Sequence, residues 1–176
     1  FLGDHGWYDK RFMYEESLRM PFVMRYPREI EAGSINDDMI LNLDFAQTFL
    51  DCTNVDQTDE MQGRSFRPLM NGKTIEDWRT SMYYRYWMHL AHHHVYAHYG
   101  LRTHDYKLIY YYADGLGTPG SADDPKLPEW ELFDLKKDPH EINSVYDNPD
   151  YSEIQAQLTS ELYQLQSQFG DQPYQS

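Results

Sequence analysis

The sequence predicts an α/β chain: a first part that contributes a helix and a buried strand, and a second that forms a small α+β subdomain with an antiparallel sheet and a terminal helix. Three observations carry this. The apolar run from Pro21 to Pro27 is closed by proline at both ends, a length that suits a strand of a parallel sheet better than a helix. From Ser81 onward, runs rich in Tyr, Val and Ile alternate with turn residues. After Pro149, apolar residues recur at helical spacing (Ile154, Leu158, Leu162, Leu165, Phe169) until Gly170 stops them.

The elements between these follow from local chemistry. Asp44 is placed to N-cap a helix that presents Phe45, Thr48, Phe49 and Cys52 on one face. Gly63 to Gly72, with Pro68 inside it, reads as a polar boundary. The strand runs are Met82 to Trp87, Val95 to Thr103, Tyr106 to Tyr112 and Trp130 to Leu135, with Gly115 to Ser121 as a hairpin connection and Asp134 to Asn143 as a polar crossover. One helix is expected to cover three or four antiparallel strands.

Composition narrows the function classes. With 16 Tyr and 4 Trp among 176 residues, large amphipathic rings can build a core although charged side chains are frequent. A net charge of −14 opposes a phosphate backbone, so nucleic acid is excluded as the main partner and an anionic substrate needs a local basic cluster. The single Cys52 rules out an internal disulfide. No run approaches the ~18 apolar residues of a membrane span. The chain opens on Phe1 without a signal peptide, which reads as a truncated chain whose targeting signal lies elsewhere.

The opening Phe1-Leu2-Gly3-Asp4-His5-Gly6-Trp7-Tyr8-Asp9-Lys10-Arg11-Phe12-Met13-Tyr14-Glu15-Glu16-Ser17 resembles the segment that type I sulfatases of the alkaline phosphatase superfamily carry just after their metal-binding motif. The likeness continues through Asn42 to Asp51, Gln62 to Ser65 and Tyr99 to Thr103, and ends on Trp130 to Glu141, which is similar to the family's C-terminal signature. The resemblance implies that residues 1–72 are the end of the sulfatase catalytic domain, with its alkaline-phosphatase-like sheet, and 73–176 the C-terminal subdomain. It implies a sulfuric ester hydrolase acting on sulfated glycans, with the rest of the catalytic domain as a partner and a secreted, periplasmic or lysosomal location. It also implies a Ca²⁺ ion and a formylglycine nucleophile made in a Cys/Ser-x-Pro-x-Arg motif. Neither the calcium ligands nor that motif occurs in these 176 residues, since Cys52 is followed by Thr53-Asn54-Val55. The chain by itself is therefore expected to be inactive.

By the same resemblance, Lys10 is the lysine that contacts the sulfate and the leaving oxygen, where an ammonium stabilises developing negative charge. His5, beside Asp4, is a donor or general acid whose ring the carboxylate could orient, or a turn cap. His89, His92, His93, His94, His98 and His104 crowd one segment, but their spacing matches no zinc motif, and no metal ligand is assigned. The resemblance implies instead that His93 and His98 bind substrate, on a loop that leads into Gly100 so that backbone can pass close to a sugar; the alternative is a solvated histidine loop. Arg102, and Arg85 after it, could grip a carboxylate or sulfate in a bidentate fork, or pair with local acids. Glu15 and Glu16 would cap a helix or brace Lys10, and Tyr83, Tyr84 and Trp87 would stack on a sugar or fill a core. The rivals are a phosphodiesterase or phosphonate hydrolase of the same superfamily, and a non-catalytic carbohydrate-binding module.

Overall fold

The computed structural model describes residues 1–58 and 60–175. Packing divides the chain differently from the family segments 1–72 and 73–176: Phe1–Pro21 packs with Ser81–Ser176, and Phe22–Thr80 makes a second compact unit.

The first unit is built on a four-stranded antiparallel meander, β1 (Ser81–Tyr86), β2 (His98–Thr103), β3 (Tyr106–Tyr111) and β4 (Glu129–Asp134), paired in chain order. The register sets Tyr84 opposite Gly100, Arg102 opposite Lys107 and Ile109 opposite Glu131. Because side chains alternate across a strand, Tyr99, Leu101, Leu108 and Leu132 share one face, which the helix α4 (Ser152–Gln168) covers with Leu158 and Leu162. Asn148 starts this region by accepting the Asp150 amide at 3.0 Å across a 3-10 turn, Pro149–Tyr151, and Gly170 ends it at φ 72°.

The opposite face of the sheet is covered as well. Ile109, Tyr111 and Phe133 point there, against Met13 with Phe12, Tyr14 and Leu18 around it. Met13 is fully buried, which is worth about 1.5–3 kcal/mol of transfer free energy. The short helix α1 (Glu15–Leu18) continues this cover. The strand run around Tyr106 to Tyr112 is apolar on both faces for this reason, and the expectation of one covering helix accounts for only half of the burial. The segment that carries Lys10 is the other half.

In the second unit, helices α2 (Asp44–Cys52) and α3 (Arg67–Met70) pack beside a core of Phe66, Leu69 and Trp78. Two expectations are corrected here. Pro21 to Pro27 forms no strand: no described residue supplies a ladder partner for its backbone groups, and Phe22 and Val23 are 47% and 94% exposed. Asp44 does not cap α2, whose N-cap is Leu43. Its buried carboxylate instead accepts the Leu41 amide at 2.7 Å and the Arg64 amide at 2.9 Å, and is gripped by the Arg79 guanidinium. The helix accordingly buries Asp44, Gln47 and Thr48, leaving Phe49 58% exposed.

Candidate active site

Lys10 sits in a bend between two side chains that are tied down. Its own side chain is exposed and has no partner among the described residues. On either side of it, Asp9 and Arg11 pair with each other, Arg11 Nε donating to Asp9 Oδ2 at 3.2 Å. His93, from the loop between β1 and β2, closes the group: Nδ1 is 2.6 Å from Asp9 Oδ2 and Nε2 is 3.2 Å from Arg11 Nη2. Asp9 has φ 130°, where an L side chain is strained. Strain of that kind persists only where the surroundings over-determine it, and the contacts from His93 and Arg11 do so.

His5 lies on the same segment, and its neighbours differ from the expected ones. Asp4 spends its carboxylate on the Leu2 amide at 3.1 Å, so it does not orient the ring. The ring stacks on Tyr14, centroids 4.7 Å apart, and Nε2 is 3.7 Å from Glu16 Oε2. Tyr14 in turn donates to Glu131, whose carboxyl burial pushes above its usual range although hydrogen bonds from Tyr14 and Tyr111 oppose the shift. His5, Tyr14 and Glu131 thus form a polar seam running from the Lys10 segment into the sheet.

Glu15 does not brace Lys10. Its carboxylate binds Arg102 through a two-point fork (Nε 3.2 Å, Nη2 3.0 Å) and lies 2.9 Å from Lys107 Nζ. Lys107 is fully buried and also lies 2.6 Å from Glu141 Oε1, both contacts being ion pairs whose angles depart from hydrogen-bond geometry. Glu141 Oε2 accepts the Glu15 amide at 2.6 Å. Burial pushes the Glu15 carboxyl up, but the Arg102 hydrogen bonds and the Lys107 charge outweigh it and hold the group at about 2. Four charges that cancel therefore clamp the segment just after Lys10 onto β2 and β3.

The N-sulphoglucosamine sulphohydrolase C-terminal family matches residues 3–168. The chain belongs to this family. Among curated relatives it is 44% identical to an N-acetylglucosamine-6-O-sulfatase of Bacteroides thetaiotaomicron, over 97% of this chain and 29% of that protein. It is 27% identical to an ulvan-active sulfatase of Formosa agariphila, over 97% and 37%. A solved structure of a protein in complex with its substrate D-glucosamine-2-N,6-O-disulfate matches with a TM-score of 0.86 at 43% identity, covering 97% of this chain and 32% of that one. A phosphonate monoester hydrolase from Silicibacter pomeroyi, 20% identical with a TM-score of 0.75 over 95% and 32%, shows the same fold. The chain spans well under half the length of the proteins it matches.

Within this sulphohydrolase region the remaining expectations sort by burial. His98 is fully buried among Phe12, Tyr84, Tyr86 and Tyr111, with Nδ1 donating to Tyr96 O at 2.7 Å and Nε2 left without a partner. Burial drives its pKa down to about 4, so it is a packed core histidine and not a group facing solvent. Arg102 has its fork filled by Glu15, and Arg85 pairs with Asp171 and lies 3.8 Å over the Trp87 ring. Gly100 admits Met13, not a ligand: a Cβ there would meet Met13 Sδ at 2.6 Å and Leu108 O at 2.4 Å. His89 is buried too, accepting the Ala97 amide at 3.2 Å.

Among the described residues no three His, Cys, Asp or Glu side chains are placed to hold a metal ion. The residues present do not fit a calcium site. Sequence reasoning missed Asp9 and Arg11, although the alternation of charge in Asp9-Lys10-Arg11 is a visible signal: two opposite charges flanking a lysine can pair with each other and leave it free.

Proposed function

We propose that this chain is the C-terminal part of a sulfuric ester hydrolase acting on a 6-O-sulfated glucosamine residue of a glycan. The observation that carries the reading is 44% identity across 97% of the chain to an N-acetylglucosamine-6-O-sulfatase. The likeness, at 43% identity, to a protein bound to its glucosamine disulfate substrate supports the same sugar class.

Within that reading, Lys10 places an ammonium against the sulfuryl oxygens and the departing alkoxide, where negative charge grows during S–O cleavage. Arg11 is paired with Asp9, so Lys10 is the cation of this segment left unpaired among the described residues, the one that would serve an anion on a chain of net charge −14. Asp9, half of whose carboxylate is free of the His93 and Arg11 contacts, is placed to accept from a sugar hydroxyl. His5, five residues before Lys10 in the chain and stacked on Tyr14, is the group that would deliver a proton to the leaving alcohol. The nucleophile, a formylglycine in sulfatases, and the metal ion would come from the remainder of the catalytic domain.

The phosphonate monoester hydrolase that shares the fold is 20% identical, against 44% for the N-acetylglucosamine-6-O-sulfatase. Incubating the whole enzyme with N-acetylglucosamine-6-sulfate and, separately, with a phosphonate monoester decides between them. Release of inorganic sulfate at a kcat/KM well above that for the phosphonate is expected, and the reverse order would replace this reading with its rival.

A further inference from the structure

The geometry points to His93 as a positioning residue, a neutral imidazole with its proton on Nδ1 that locks Asp9 and Arg11 and so presents Lys10, rather than a group that reads the substrate. A guanidinium can only donate. The ring nitrogen facing Arg11 Nη2 at 3.2 Å is Nε2, which must therefore accept and carry no proton. That puts the proton on Nδ1, which faces the Asp9 carboxylate at 2.6 Å, an acceptor. The Arg11 contact alone assigns the tautomer; the Asp9 contact is an ion pair whose angle departs from hydrogen-bond geometry, and it sets the carboxylate against the other ring nitrogen. Both nitrogens of His93 therefore face protein charges.

The consequence reaches Lys10 through the backbone. Asp9 holds a strained φ of 130°, and its side chain is anchored by His93 and Arg11 alone. Without the ring the Asp9 strain has one fewer restraint, and the bend that aims Lys10 loosens. A lysine that samples more directions binds substrate little worse but meets the developing charge less often, so the loss falls on turnover.

The kinetic arm of the test rests on the sulfatase reading above; the spectroscopic arm does not. His93→Ala removes both contacts, whereas His93→Asn keeps a donor near the Nδ1 position and loses only the acceptor for Arg11. In the whole enzyme with N-acetylglucosamine-6-sulfate, His93→Ala is expected to lower kcat about ten-fold or more with KM changed less than about three-fold, and His93→Asn to recover most of the loss. A rise in KM at unchanged kcat, or equal losses in both variants, overturns the positioning role. Independently, long-range ¹H–¹⁵N spectra of the histidine-labelled enzyme at pH 8, with His93 assigned from its absence in His93→Asn, should show the Nδ1–H tautomer, and Asp9→Asn should erode that preference. An Nε2–H tautomer or a doubly protonated ring overturns the inference. If the wild-type enzyme releases no sulfate, the functional reading fails and these spectra alone decide the role of His93.

Discussion

His93 and His98 stand five residues apart in one histidine-rich stretch, and their environments differ completely. The first is bound between a carboxylate and a guanidinium at the surface, and the second is sealed among aromatic rings. The family resemblance marks both as pocket residues, and residue type carries no information on which side of a sheet edge a ring falls. That depends on where β2 begins, at His98 and not at Val95. The buried ring has a thermodynamic signature. Its folded pKa of about 4 lies below the 6.5 of a free histidine, so on acidification the unfolded chain takes up the proton first. The resulting stability is fully present above pH 6.5 and drains away as pH falls toward 4, amounting to on the order of 3 kcal/mol. His98→Phe should flatten that part of the profile: thermal unfolding at pH 7 and pH 4.5 is expected to differ less in the variant than in wild type. An unchanged difference would mean that the ring is hydrated.

At the scale of elements, the four strands and the terminal helix were legible because period-2 runs of Tyr, Val and Ile and an i, i+4 apolar ladder are strong local signals. The second cover of the sheet was not. Phe12, Met13 and Tyr14 have no periodicity of their own and gain an address only by packing on Ile109 and Phe133. Pro21 to Pro27 failed for the converse reason, since an apolar run specifies a strand only where neighbours complete the ladder. Two substitutions test the dock. Gly100→Ala drives a methyl into Met13 Sδ and the Leu108 carbonyl and should cost about 1–3 kcal/mol, seen as a lowered midpoint of unfolding. Lys107→Met leaves the buried Glu15 and Glu141 carboxylates without their shared cation and should cost about 3–5 kcal/mol, with Glu141→Gln on top of it recovering part of the loss. A Lys107→Met protein as stable as wild type would show that the cluster is replaceable.

For the whole molecule, 29 acids against 15 bases supply no diffuse attraction for an anion, so the proposed function rests on a local cation, Lys10. Family membership was legible at this scale, from motifs that recur in order from Phe1 to Glu141; the trio around Lys10 was not, since its third member comes from 82 residues away. No helix is long and apolar enough to cross a membrane among the described residues. The 176-residue chain on its own should release no sulfate from an aryl sulfate with added calcium, because its sequence contains no Cys/Ser-x-Pro-x-Arg motif. The measurement that tests the central claim most directly is the steady-state rate of sulfate release from N-acetylglucosamine-6-sulfate by the whole enzyme and its Lys10→Ala variant. Loss of one preorganised donor to the transition state predicts a fall in kcat of about 10²- to 10³-fold with KM within a few-fold of wild type. An unchanged kcat would contradict the assignment of Lys10 and the site built around it.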